Sequence, residues 1–536
     1  MSGPEHGVPP TRRRAWAVVG ALTTATAVLA LTAGVAAVGS LRPPTAPRDV
    51  PLLAVDVPAA VTELVCPGTV HLATEPEEGS DAAYDPAFDP TPVASRSALS
   101  LLSVSPDGTS GAAVTRLGAL DGADGDPVVT LAPEGRAAGA TVDGLSGGLV
   151  LRADAAGEVP AWVAGATGVR TTDGDLRGLV AASCGRAAAE VWLVGGSTAL
   201  GSSGRLVLVN PGRTAATVSL ELWGPSGPVE LAGAPQYLVP AGEERVVLLE
   251  GIAAEQERVV VHVTAAGGRV GAYLQDSALR GLVPAGTDDV VAGAAPAPQQ
   301  VVPGVAVTAS SADGADVALL RLLAPGSQGG TAAITVLGPE GPVDLPGAAE
   351  LELVAGEVLD VPLGGLPPGY YTLVVDADVA VVAGAMITRG EGVGLAPDLA
   401  AAAGDVPLDR AWAPATVLGV AGPLALPPGV SGEVVVTAVP SADLDGSAPA
   451  TLELVGPDGV LGTTTLRVAP GSTSVHPLTA LTGASDAAVG LVLRSTDPRL
   501  TWAVVLTESL PDGDVVALLA PVPPAEVRPS VAVRAR

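Results

Sequence analysis

Thr217-Val218-Ser219-Leu220-Glu221-Leu222 alternates polar and apolar positions. A period of two puts every second side chain on one face, so this segment is predicted as a strand with one buried side. An apolar run, Leu206 to Val209, precedes it and ends near Pro211. Gly224-Pro225-Ser226-Gly227-Pro228-Val229 follows and has turn chemistry. Further strands are predicted over Arg245 to Leu249, Val259 to Val263 and Arg269 to Leu274.

This unit repeats. The turn returns as Gly338-Pro339-Glu340-Gly341-Pro342-Val343 and, loosened, as Gly456-Pro457-Asp458-Gly459-Val460. A second marker, Ala241-Gly242-Glu243, returns in step as Ala355-Gly356-Glu357 and Pro470-Gly471-Ser472. The leading apolar runs are Val317 to Leu323 and Val434 to Val439 in the later copies. A degenerate copy precedes these, because Leu176-Arg177-Gly178-Leu179-Val180 matches Leu279-Arg280-Gly281-Leu282-Val283. Short strands and turns in units of about 110 residues indicate antiparallel sandwiches.

Ahead of the repeats, Ala15 to Val38 carries no charge over a length that spans a bilayer as a helix. Arg12, Arg13 and Arg14 precede it, which places the short N-terminus in the cytoplasm and the remainder outside. A cleaved signal peptide, cut near Ala37 or Gly39, is the alternative, although the apolar stretch is longer than such segments usually are. Pro43, Pro44, Pro47, Pro51 and Pro58 make 39–60 an extended stalk.

Composition narrows the chemistry. The chain has 536 residues, a formal net charge of -29 and no Lys. Lacking Lys, it has no P-loop lysine, Schiff base or Ser-Lys dyad. Its acidity argues against nucleic acid and against a polybasic membrane-surface binder. Cys66 and Cys184 are the only cysteines and bracket the first repeat, so a disulfide between them is expected in an exported protein.

Candidate sites have bland counterparts. Gly144-Leu145-Ser146-Gly147-Gly148 fits the nucleophile-elbow pattern, but Leu149-Val150-Leu151-Arg152 after it is a strand where that motif needs a helix. His6, His71, His262 and His476 are scattered. Glu75, Glu77, Glu78, Asp81, Asp85 and Asp89 form one acidic stretch, and Asp121, Asp124 and Asp126 another. Either could suit calcium, but neither has a recognised loop spacing, and both read as solvated loops. Trp162, Trp192, Trp223, Trp412 and Trp502 suit core or inter-repeat packing, with a sugar platform as the alternative.

The run from Cys184 through Trp192-Leu193-Val194-Gly195-Gly196-Ser197-Thr198 to Leu206-Val207-Leu208-Val209-Asn210-Pro211 is distinctive. With Cys66-Pro67-Gly68 and the apolar N-terminal segment, it resembles an uncharacterised actinobacterial family, a domain of unknown function. The resemblance covers essentially the whole ectodomain. It implies a membrane-anchored or secreted envelope protein, often encoded beside envelope glycosyltransferases, and supplies no catalytic residues.

The expected architecture is an all-β ectodomain of tandem immunoglobulin-like antiparallel β-sandwich modules after one N-terminal transmembrane helix. The segments are a cytoplasmic 1–14, the helix or signal peptide 15–38, the stalk 39–60, and modules 61–189, 190–298, 299–410 and 411–536. The expected role is a non-enzymatic scaffold or interaction protein without catalytic, cofactor or metal site, a rod of sandwiches. Its partner is an envelope protein or cell-wall polymer, and it takes no nucleic acid. A carbohydrate-binding array and a cryptic hydrolase are the alternatives. The location is the cell membrane with an extracytoplasmic C-terminal region, or the exterior if the N-terminal segment is cleaved.

Overall fold

A computed structural model describes residues 23–33, 52–56, 59–524 and 530–534, excepting 73–94, 109, 121–125, 146, 156–157, 392 and 397–405. The chain divides into two units, Pro58–Val527 and the two ends, Met1–Val57 with Arg528–Arg536. In the terminal unit residues 23–33 are helical and exposed. Among the described residues no helix is long and apolar enough to cross a membrane. The flanks of the predicted span, 15–22 and 34–38, lie outside the described residues. Part of the expected stalk is a strand, β1 (Leu52–Asp56), paired antiparallel with the last strand, Ser530–Arg534. Pairing satisfies backbone groups that an isolated extended segment leaves to water.

The larger unit contains four repeats. The first runs β2 (Thr62–Cys66), β3 (Ser95–Val104), β4 (Thr115–Ala119), β5 (Val129–Leu131), β6 (Ala137–Asp143), β7 (Leu149–Ala153), β8 (Trp162–Thr171) and β9 (Gly178–Ser183). These form two antiparallel sheets, β2-β7-β4-β5 and β6-β3-β8-β9. The second runs β10 (Glu190–Val194), β11 (Ser202–Val209), β12 (Ala216–Gly224), β13 (Gly227–Pro228), β14 (Gln236–Val239), β15 (Glu244–Leu248), β16 (Val260–Ala266), β17 (Gly271–Arg280) and β18 (Val283–Val290). Its sheets are β10-β16-β12, with β13 and β14 both on β12, and β15-β11-β17-β18.

The third runs β19 (Ala297–Val307), β20 (Leu319–Leu323), β21 (Gly330–Gly338), β22 (Gly341–Val343), β23 (Leu351–Leu353), β24 (Leu359–Pro362), β25 (Gly369–Gly390) and β26 (Leu408–Pro414). The long β25 serves both sheets, pairing with β19 and β21 mainly through its first half and with β20 and β26 through its second. The fourth runs β27 (Gly422–Ala425), β28 (Ser431–Ala438), β29 (Ala448–Gly456), β30 (Gly459–Val468), β31 (Thr473–Pro477), β32 (Gly490–Arg494), β33 (Leu500–Leu510) and β34 (Gly513–Leu519). Its sheets are β27-β32-β29-β30 and β31-β28-β33-β34.

One order recurs. Numbering strands within a repeat, the first sheet is one-six-three-four and the second is five-two-seven-eight. Immunoglobulin sandwiches share the two-five and three-six pairings, but place the first strand beside the second and the seventh beside the sixth. The expected immunoglobulin connectivity is therefore altered at these two strands and at the fourth, which pairs with the third here and with the fifth there. The Gly-Pro-x-Gly segments are the tight turns between strands three and four, pairing Gly224 with Gly227, Gly338 with Gly341 and Gly456 with Gly459. The last expected boundary moves. Trp412, expected to open the fourth module, lies in the closing strand of the third.

The repeats form no rod. Each second sheet packs its outer face on the first sheet of the repeat before it. Val207 and Val209 meet Val65 and Val150. Leu323 and Val382 meet Trp192, Val194 and Val260. Val439 meets Val301, Leu337 and Val374. The first repeat then packs on the fourth, with Leu102, Val104, Ala164 and Ala166 in one core with Leu424, Val455 and Leu491. Each fully buried Leu or Val contributes roughly 1.5–3 kcal/mol. The eighth strands meet at the centre, where β9 lies against β18 and β34, and β26 lies against the same two.

Cys66 and Cys184 form the expected disulfide, tying the first strand of the first repeat to the residue after its last. Gly165 gives it room, because a Cβ there would stand 2.6 Å from Cys184 Sγ. The bridge closes a loop of 118 residues. Replacing both cysteines by Ser is expected to cost about 4–5 kcal/mol on the chain-entropy model, read as a lower thermal midpoint. An unchanged midpoint would show that the bridge adds nothing to the ring.

Candidate functional site

Where the four eighth strands meet, the interior is polar. Asp276 and Asp409 are fully buried and Asp288 and Arg177 nearly so, while Thr287 and Asp289, also buried, lie on the opposite face of β18 from Asp288. Asp276 and Asp288 are direct neighbours across β17 and β18, so their side chains share a face. Trp412 serves both carboxylates, its backbone N–H donating to Asp288 Oδ2 at 2.6 Å and its indole Nε1–H to Asp276 Oδ2 at 2.8 Å. Arg410 Nη2 lies 2.7 Å from Asp276 Oδ1. These contacts join the second repeat to the third.

Asp409 joins the rest. Its Oδ2 accepts from Leu179 N–H of the first repeat at 3.1 Å and from Val516 N–H of the fourth at 2.8 Å. Its strand is hydrogen-bonded in parallel to the second repeat at Ala285 and Leu408. One carboxyl therefore sits where all four repeats meet. Arg177 holds the closing seam, donating from Nε and Nη2 to Asp512 at 2.7 and 2.8 Å and from Nη2 to Gly513 O at 2.8 Å. Arg321 holds the next seam. It chelates Asp360, donates to Gly196 O at 2.6 Å, and lies 4.8 Å above the Trp412 ring.

Burial disfavours the charged form of these acids. It lifts Asp288 well above the usual carboxylate range, against the pull of the Trp412 N–H bond. Burial pushes Asp289 up to about 7. It pushes Asp409 up to about 7 as well, opposed by the N–H groups of Val516, Leu179 and Arg410 and by the Arg177 charge. Among the described residues, Asp288 Oδ1 and Asp409 Oδ1 have no hydrogen-bond partner. Such oxygens favour a proton. This arrangement is a junction, since its acids are sealed from solvent.

The other candidate residues stay apart. His71, His262 and His476 stand in three different repeats. His262 Nδ1 and Nε2 lie 2.9 and 3.1 Å from Glu221 and Glu190, with its ring stacked 4.0 Å from Trp192. His476 Nε2 touches Ser474 Oγ at 2.7 Å, yet no described carboxylate contacts its other nitrogen to orient it. Ser146 and His6 lie outside the described residues, as do the acidic stretch from Glu75 to Asp89, Asp121 and Asp124, while Asp126 is exposed. Among the described residues no cluster of three or more His, Cys, Asp or Glu could hold a metal. Trp192, Trp223, Trp412 and Trp502 are buried, and Trp162 is half-buried beneath Arg494, so they offer no sugar platform. The junction acids were absent from the sequence reading. Their signal is Asp288-Asp289 inside the strand ending at Val290, and Asp409-Arg410 between Leu408 and Ala411.

A family model described as "Family of unknown function (DUF5719)" matches residues 137–475, from β6 of the first repeat to β31 of the fourth. No curated protein matches the chain. A solved structure titled "Biofilm associated protein - BSP domain" covers 91% of this chain and 100% of its own, at 10% identity and a TM-score of 0.10. That likeness carries no argument.

The junction makes stability depend on pH. Asp289 and Asp409 titrate near 7 when folded, and an unfolded Asp titrates near about 4. The folded chain thus binds these protons more tightly. The stabilisation is complete below about pH 4 and is lost as pH rises through about 7. The thermal midpoint is expected to fall between pH 5 and pH 8, and Asp289→Asn to flatten that fall. An identical slope in wild type and variant would exclude Asp289 as a source.

Proposed function

The chain belongs to the DUF5719 family, whose function is unknown, and from its architecture we propose a non-enzymatic scaffold or interaction protein of an actinobacterial cell envelope. Its N-terminal apolar segment holds it at the membrane, and its repeats stand on the extracytoplasmic side. The repeats are read as a variant of the immunoglobulin-like sandwich, sharing the two-five and three-six pairings. The partner is an envelope protein or a cell-wall polymer.

The observation that carries this reading is where the fold places its charges. Arg177, Arg321, Asp276, Asp288 and Asp409 are buried where repeats meet. The fold thus commits these groups to joining repeats, which is what a protein offering surface to a partner requires. The disulfide suits an oxidising compartment. Arg12 to Arg14 ahead of 24 uncharged residues suit an inside-to-outside anchor. Closure of the repeats replaces the expected rod with a single body in which neighbouring repeats share each surface.

The test is fractionation with surface proteolysis. The full-length chain is expected in the membrane fraction, with its repeats cleaved by protease added to wall-stripped intact cells. A cross-linked pull-down is expected to recover an envelope protein or wall polymer. Repeats shielded from protease until the cells are lysed would overturn the topology, and a pull-down without any envelope component would overturn the role.

A further inference from the structure

Two cavities of about 350 and 410 Å³ lie on either side of the turn from Pro427 to Ser431, and Gly429 and Glu508 line both. The first is bounded by the first and fourth repeats, the second by the third and fourth. Sharing Gly429 and Glu508, they are taken together as one groove, of which the first part exists only because the ring closes.

The groove holds charges that the fold leaves unsatisfied. Arg96 and Arg170 are directly opposed across β3 and β8, so two cations share one face. Like charges so placed destabilise a sheet. Arg170 is relieved by Glu508, through Nε at 2.7 Å and Nη2 at 2.5 Å. Arg96 is exposed and pairs with no described residue. Asp143, on the neighbouring strand, lines the same cavity without an ion pair to any described residue. In the second cavity, among the described residues, Arg389 donates only to the backbone carbonyls of Ala306 and Thr388, at 3.3 and 2.9 Å. Asp514 faces the same space and accepts from Ser509 Oγ at 2.7 Å. Each cavity thus has a guanidinium and a carboxylate that do not touch.

We propose that this groove binds a saccharide. Its cations and carboxylates balance, so it offers a polyanion no net attraction. A guanidinium and a carboxylate held apart in a groove are a donor set and an acceptor set, which sugar hydroxyls can bridge. The exposed Pro428 ring gives an apolar surface for the C–H face of a pyranose, and Ser431, Thr507 and Tyr370 add hydroxyls along the second cavity. A peptide partner would need a deeper apolar anchor pocket than this groove has. The inference stands whether or not the chain is membrane-anchored, because it rests on the groove alone.

The test is calorimetric titration of the full-length chain with mannotetraose, galactotetraose, cellotetraose and maltotetraose, and with polygalacturonate as the anionic probe. At least one neutral oligosaccharide is expected to bind. Arg96→Gln and Arg389→Gln are each expected to weaken it 10-fold or more. Arg116→Gln, at an exposed ion pair with Asp154 far along the same repeat, is expected to leave it unchanged. Arg96 is exposed, so its variant tests the groove without threatening the fold, and equal thermal midpoints check this. Binding by none of the four neutral sugars overturns the proposal. So does equal binding in both groove variants, or Arg96-dependent binding of polygalacturonate alone.

Discussion

A set of head-to-tail repeats closes only if the last offers the first the same surface that every other repeat offers its neighbour. In this chain the fourth repeat does so. Leu424 and Val455 receive Leu102 and Val104 of the first repeat as Trp192 and Val260 receive Leu323 and Val382. The rest of the larger unit follows from that closure. It covers both faces of each second sheet, brings the eighth strands together, and seals Asp409 among four repeats. Backbone amides that an edge strand would show to water are instead turned inward, where they need an acceptor. The Asp409 carboxyl supplies it for Leu179 and Val516.

Such a centre costs stability and gives definition. Buried ionised groups often contribute little net free energy, because desolvation offsets their attraction. Asp276 recovers some of that through Arg410 and the Trp412 indole, and Asp288 and Asp409 keep an unpartnered oxygen apiece. An apolar centre would tolerate many rotations of one sandwich against the next. Trp412 donating to two carboxylates, and Asp409 accepting from two other repeats, tolerate few. We read the polar centre as the device that sets register among repeats. Burial in this centre is what pushes Asp409 up to about 7 and lifts Asp288 well above the usual carboxylate range.

The repeats were legible because their turns need particular residues. Gly227, Gly341 and Gly459 all have positive φ, so the Gly-Pro-x-Gly marker survives divergence elsewhere. The disulfide was legible because only two cysteines exist, on either side of one repeat. The phase of the repeats was less so, since the two markers give the period and leave the first residue open. Trp412 resembles Trp192 in setting, yet one lies in a closing strand and the other in an opening strand. Closure left a trace that period-two reasoning passes over. Val434 to Val436 is apolar on both faces, with Val434 and Val436 in one core and Val435 in another. A strand of that kind needs covering on both sides. What covers it is long-range information, absent from a local pattern.

The claim of closure is tested most directly by hydrogen exchange at the Leu179 and Val516 amides. Both lie in strands that would be free edges in a chain of independent sandwiches, and both reach only the Asp409 carboxyl of the third repeat. If the ring closes in solution, they exchange as slowly as the amides inside β33, which open only with the whole unit. Exchange at the rate of exposed loop amides, with β33 still protected, would mean that the sandwiches are folded but the ring is open.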